Sequence, residues 1–286
     1  MPMNQEAVSR VIKVNGLSCH YLEWGDPGAP PVLLLHGLRS YAATWQQTAQ
    51  ALAGDHRLIA PDFRGRGDSS WDPQRRYYAE YYVRDMKQLI HQVVRPPLTV
   101  VGHSLGGTVG YLLAAQCPEL VRALVIEDIG PGSSAGGRGA ERIRREMRAT
   151  PSGFDSLDSV RDYWRKLRPG ISEDALASRV DNTVQLVGDG RYAWKLDMEG
   201  IAEARLNPDP AVVVDLWPAV DALRCPTLVL RGERSDFLSS DVCRQMAERQ
   251  PLIRWDEIPA AAHYAHDDNP GAFQARLTQF LAEVRA

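Results

Sequence analysis

Long hydrophobic runs are missing from these 286 residues: nothing approaches the ~20 apolar residues that a membrane-spanning helix needs. Met1 to Arg10 is polar and lacks the apolar core of a secretory signal. Charge of one sign is also scarce. Lys and Arg number 33 against 36 Asp and Glu, a net charge of −3. That balance argues against nucleic acid or an anionic membrane as partner. The four cysteines, Cys19, Cys117, Cys225 and Cys243, stand far apart without metal-ligand spacing. They read as reduced, buried thiols of a cytoplasmic protein, with neither a metal nor a cofactor implied. No internal repeat or low-complexity tract is evident. The expected partner is a small-molecule substrate, and the expected state a monomer or homodimer.

What is present is an alternation of strands and helices. Val8–Val14 and Leu17–Trp24 flank Asn15 and Gly16, a two-residue hairpin turn. Pro31–Leu35, Arg57–Ala60, Leu98–Val101, Ala123–Ile126, Thr227–Leu230 and Trp255–Ile258 read as short buried strands. Helical spacing occupies Tyr41–Leu52, Tyr78–Val94, Thr108–Gln116 and Ala272–Val284. This order predicts an α/β fold: a mostly parallel sheet with helices on both faces.

One segment carries chemistry. The β-branched run ending at Val101 leads into Gly102, His103, Ser104, Leu105 and Gly106, and a helical stretch follows. A Gly-x-Ser-x-Gly sequence between strand and helix is a nucleophile elbow: a strained turn that lifts the serine hydroxyl above the sheet edge. The chain therefore reads as a serine hydrolase, with Ser104 as nucleophile.

In motif order and identity the chain resembles the α/β-hydrolase superfamily over nearly its whole length. The landmarks are His36-Gly37 after a strand, the run from Pro61 through Arg64, Gly65 and Gly67 to Ser69, the elbow, and His263 before the last helix. The resemblance implies a base on the loop after the last strand, and His263 matches it better than His266. Ala262 stands where relatives usually carry glycine. His36 and His103 then become structural neighbours of the site, and Arg64–Asp68 a structural turn beside it. The second oxyanion-hole donor, beside the N–H of Leu105, is the N–H of Leu38. Most relatives place the acid after strand seven, where the register here gives Ser235, with Asp236 one residue late. Asp128, after strand six, resembles the acid of a subset that includes small serine esterases. The acid is therefore Asp128, with Asp236 the alternative, and Glu127 should point the other way.

Residues 131–210 break the alternation after a glycine-rich run and are expected to form a helical cap on a core of residues 1–130 and 211–286. Arg39, Tyr163, Trp164, Tyr192 and Trp194 are candidate pocket walls. The basic cluster Arg138, Arg142, Arg144, Arg145 and Arg148 reads as a solvated helix face, an acidic substrate being the alternative. The expected reaction is cleavage of a carboxylic ester or related acyl bond through an acyl-enzyme. The alternatives are a C–C or amide/enamide-bond hydrolase, or a weakly catalytic small-ligand receptor.

Overall fold

The computed structural model describes residues 6–133, 135–209 and 212–285. Strands β1 (Val8–Val14) and β2 (Leu17–Trp24) pair antiparallel around Asn15 and Gly16, whose φ angles are 49° and 84°. Positive φ at both central residues is the type I′ geometry that matches strand twist. Next come β3 (Pro31–Leu35), α1 (Gln46–Leu52), β4 (Arg57–Pro61), α2 (Ala79–Val93), β5 (Leu98–His103), α3 (Leu105–Gln116) and β6 (Val121–Glu127). The helix expected over Tyr41–Leu52 is divided. Ala42–Trp45 forms a 3₁₀ turn, and only Gln46–Leu52 is α-helical.

An insert follows β6, made of α4 (Gly137–Arg148), β7 (Gly153–Phe154), α5 (Leu157–Leu167), α6 (Glu173–Thr183), β8 (Val184–Leu186), β9 (Tyr192–Trp194) and α7 (Met198–Leu206). Four helices make up most of the insert expected to be a helical cap, and β7, β9 and β8 add a small antiparallel sheet to them. Strands of two or three residues are too short to show alternation, so the sequence does not reveal them. The expected boundary at 210/211 lies outside the described residues. The chain then returns through α8 (Trp217–Asp221), β10 (Thr227–Gly232), α9 (Ser240–Arg249), β11 (Ile253–Ile258), α10 (Ala265–Asp268) and α11 (Pro270–Arg285).

The eight main strands run in the order β1-β2-β4-β3-β5-β6-β10-β11, and every pair from β4 to β11 is parallel. All six residues of β5 are buried, as a central strand covered on both faces must be. From β3 the chain moves outward to β4, whereas from β5 it moves the other way to β6. The neighbours β3 and β5 thus flank a topological switch point, where α/β sheets leave a crevice at their carboxyl edge. The loops after β3, β5, β6, β10 and β11 all open onto that edge.

Candidate active site

Ser104 sits between β5 and α3 at φ 52° and ψ −112°, a backbone state that L-residues rarely hold. Its flanking glycines are sterically obligatory. A Cβ at Gly102 would lie 2.4 Å from the Gly106 carbonyl oxygen, and one at Gly106 would lie 2.1 Å from that of Leu35. The Ser104 amide donates to the Glu127 carbonyl at 3.0 Å, which ties the turn to the end of β6.

The hydroxyl of Ser104 donates to His263 Nε2 at 3.0 Å, and His263 Nδ1 donates to Asp128 Oδ2 at 2.8 Å. All three side chains are buried. Asp128 also accepts from the Gly232 amide on Oδ1 (3.1 Å) and from the Ser235 hydroxyl on Oδ2 (2.6 Å). Ser235, at the register where an acid was sought, instead donates to Asp128 while its oxygen accepts the amides of Phe237 and Leu238. Asp236 lies outside this chain of contacts. Both its oxygens are held by Arg142 of α4 at 2.8 Å, and that guanidinium keeps its carboxyl below the usual range.

The loop bearing His263 is held from below. His103 Nε2 donates to the His263 carbonyl at 2.8 Å, and the Phe237 ring packs on His263 at 4.4 Å. His266 gives its amide and its Nδ1–H to Glu127, at 3.0 and 2.8 Å, with both side chains buried. Burial opposes protonation of His266, but Glu127 and Asp267 outweigh it and raise its pKa. His103 is shifted the opposite way, well down, by burial and by the neighbouring His263 and His266. Ala262 is not strained. Among the described residues of this loop, positive φ falls at Ala260 (59°), so position 262 has no need of glycine.

The amide of Leu105 opens α3, where helix N–H groups lack intrahelical acceptors. On the other side, Arg66 pins the Leu38 peptide: its Nε donates to the Leu38 carbonyl at 2.8 Å, and its Nη1 binds the Arg64 carbonyl and the Tyr82 hydroxyl. Arg64 bridges Asp85 and Asp72 beneath. His36 accepts the Phe63 amide on Nε2, and burial pushes its pKa down to about 4. Sequence reasoning placed Arg66 only within a structural turn. Its signal was its place between Gly65 and Gly67, in a tight turn directed at the loop that carries Leu38.

Leu38, Ser104 and Leu105 line a cavity of about 390 Å³, walled by Ile143, Ile201, Leu216 and Phe237. The expected pocket residues lie elsewhere. Arg39 is consumed by Glu146, Thr150 and Tyr163 of the insert. Trp164 and Trp194 pack edge-on with Phe154 and Tyr163, their Nε1 groups bonded to Thr183 and to the Pro151 carbonyl. Tyr163 belongs to the same ring cluster, and Tyr192 closes β9 against β8 and β7. These aromatics form the insert's own core because rings this large bury best against each other.

A buried contact chain from Ser104 through His263 to Asp128, with Ser104 on the wall of a cavity at this sheet edge, is an arrangement of one class of protein, the hydrolases. Residues 32–276 match the model of the alpha/beta hydrolase family, and the chain belongs to that family. It is similar to a 3-hydroxybutyrate-oligomer hydrolase of Cupriavidus necator, at 29% identity over 254 residues (85% of this chain, 86% of the relative). It is also similar to a 2-(acetamidomethylene)succinate hydrolase of Mesorhizobium japonicum, at 27% identity over 96% of this chain and 95% of the relative. The crystal structure of an E-2-(acetamidomethylene)succinate hydrolase superposes with a TM-score of 0.87 at 27% identity, covering 97% of this chain and all of the other. The chain is a hydrolase with the α/β-hydrolase fold. No helix among the described residues is long and apolar enough to cross a membrane.

Proposed function

We propose that this hydrolase cleaves a small carboxylic ester through an acyl-enzyme on Ser104. His263 Nε2 takes the hydroxyl proton as Oγ attacks the ester carbonyl carbon. The resulting oxyanion is held by the N–H groups of Leu38 and Leu105, each worth ~3–4 kcal/mol in the transition state. His263 then returns the proton to the leaving alcohol oxygen, and the C–O bond breaks. A water molecule repeats the sequence and releases the acid. Asp128 fixes the Nδ1–H tautomer and stabilises the imidazolium that forms. Residues 131–210 act as a cap. Arg39 to Glu146, Arg142 to Asp236, and Arg168 to Asp267 and Asp268 tie them to the core loops at the carboxyl edge. The four cysteines are free and buried, which supports work in a reducing compartment such as the cytoplasm.

The observation that carries this reading is the unbroken contact chain Ser104–His263–Asp128 opening onto the apolar cavity. A fluorophosphonate probe should add its mass to the peptide containing Ser104, and Ser104→Ala should abolish labelling. Labelling that persists in that variant refutes the serine mechanism. Labelling without turnover of any 4-nitrophenyl ester would indicate a receptor.

A further inference from the structure

Two buried arginines of the insert reach into the loop that carries His263. Arg168 directly follows α5 and Arg179 lies within α6, and their side chains are only 10% and 1% exposed. A buried guanidinium is costly unless its partners are good, and these partners sit mainly between Tyr264 and Asp268. Arg168 donates from Nη1 to Asp267 Oδ2 at 2.5 Å and from Nη2 to Asp268 Oδ1 at 2.7 Å. A fork across two consecutive carboxylates is a geometry that a guanidinium supplies better than an ammonium. Arg179 adds a second donor to Asp267 Oδ2 at 3.0 Å. Burial pushes Asp267 up, but His266 and the two arginines outweigh it and hold its carboxyl well below the usual carboxylate range. Both guanidiniums also lie over the Tyr264 ring, at 4.1 and 5.0 Å from its centre.

These contacts continue to the imidazole from both of its neighbours in the chain. Asp268 Oδ2 accepts the Ala262 amide at 2.9 Å, so one carboxylate joins Arg168 to the residue before His263. Tyr264 is the residue after it, and its ring packs edge-on against the His263 ring at 5.3 Å. From the sheet, Asp128 sets the direction of the imidazole; the insert holds the residues on either side. We infer that Arg168 and Arg179 are positioning residues for His263, so that docking of the insert completes the placement of the base. The inference rests on the reading of His263 as base and goes beyond it, since it gives the cap a part in the chemistry as well as in enclosing a substrate. The pair Arg142–Asp236 also joins insert to core, but at the turn after β10, and serves as the comparison.

Arg168→Gln leaves Arg179 to neutralise Asp267, so the fold should survive, which the melting temperature checks. Its kcat on a 4-nitrophenyl ester should fall about 10- to 100-fold with KM little changed, the cost of a catalytic group displaced by ~1 Å. Arg168→Lys keeps the charge and should recover part of that loss. Arg142→Gln should keep kcat close to wild type. Asp268→Ala should reproduce the loss of Arg168→Gln, and the two together should cost little more than either, because they break one chain of contacts. An unchanged kcat in Arg168→Gln, a loss confined to KM, an equal fall in Arg142→Gln, or fully additive losses in the double variant overturn the proposal. Hydrolysis of no ester by the wild-type protein would count against the reaction, not the placement, which exchange of the His263 Nδ1 proton decides separately. In NMR spectra that proton, assigned by its loss in His263→Gln, should exchange faster with water in Arg168→Gln, as a loosened loop allows. An unchanged exchange rate overturns the proposal.

Discussion

Replacing Asp128 by Asn tests the acid assignment at the level of single atoms. The carboxylate takes the Gly232 amide on Oδ1, and both the Ser235 hydroxyl and His263 Nδ1–H on Oδ2. An amide has one acceptor oxygen, so one of those two edges must become a donor. With the oxygen left on Gly232, the NH₂ faces His263 and the ring must present a bare Nδ1. Nε2 then carries the proton and points it at Ser104 Oγ, which no longer meets a base. Turning the amide over preserves the tautomer but sets NH₂ against the Gly232 N–H. A buried donor left unsatisfied in this way costs about 1–3 kcal/mol. Neither orientation recovers the native arrangement, and the wrong tautomer alone lowers kcat by up to ~10⁴-fold.

Steady-state hydrolysis of a 4-nitrophenyl ester should therefore show a fall of about three to four orders of magnitude in Asp128→Asn. The melting temperature should drop by only several degrees, since each kcal/mol moves a chain of this size by about 2–4 °C. Asp236→Asn breaks the pair with Arg142, which is 28% exposed on both sides and contributes at most about 1 kcal/mol. Its kcat should stay close to wild type. An active Asp128→Asn protein beside an inactive Asp236→Asn protein would refute the reasoning, while the roles of Ser104 and His263 would survive.

Three further outcomes follow from the same geometry. The Ser235 hydroxyl lies 2.6 Å from Asp128 Oδ2, so adding Ser235→Asp to Asp128→Asn should return at least about a tenth of the lost kcat by offering His263 a carboxylate from β10's turn; no recovery at all would show that position 235 cannot reach the ring. Arg66→Met removes the anchor of the Leu38 carbonyl and should lower kcat by about 10- to 100-fold with KM little changed, because the donor it orients acts on the transition state; an equal rise in KM would point to a binding role instead. His36 is buried with its pKa near 4 against 6.5 when exposed, so its share of stability is complete above pH 6.5 and is lost as pH falls towards 4, about 3 kcal/mol in all. Urea titrations should show that loss flattened in His36→Gln, and an unaltered slope between pH 6.5 and 4 would contradict it.

What could be read from the sequence was whatever the backbone itself dictates. Gly102 and Gly106 flank a serine whose turn leaves no room for a Cβ on either side, so three residues encode the elbow locally. Asn15-Gly16 did the same for the hairpin. The contact of Asp128 with His263 was legible through register, because a serine stood where a carboxylate would otherwise emerge from the turn after β10. The insert was the opposite case. Whether Trp164 faces a ligand or Trp194 depends on how α5, α6 and a sheet of two- and three-residue strands pack, and no periodicity carries that information. Arg39 was sought in the pocket mouth. Glu146, more than a hundred residues on, claims it. Arg144 and Arg148 look equivalent in sequence, and only the helix's docking separates a cavity wall from a solvated face.

The end of β6 explains why His263 sits so firmly on a loop. Successive residues of a strand point to opposite faces, and Glu127 and Asp128 extend that rule past the strand's last pairing. Glu127 turns to one side and accepts both the amide and the ring of His266. Asp128, at φ 54°, turns to the other and accepts His263. Two consecutive acids therefore grip two histidines three residues apart, and the loop after β11 is fixed at both ends of the span between them. Gly232 completes the clamp. A Cβ there would meet the Ala262 carbonyl oxygen at 2.0 Å, so only glycine lets the loop approach while its own amide holds Asp128. The catalytic geometry assigned to His263 is thus a property of two neighbouring strand ends, β6 and β10, and the loop inherits its precision from the sheet.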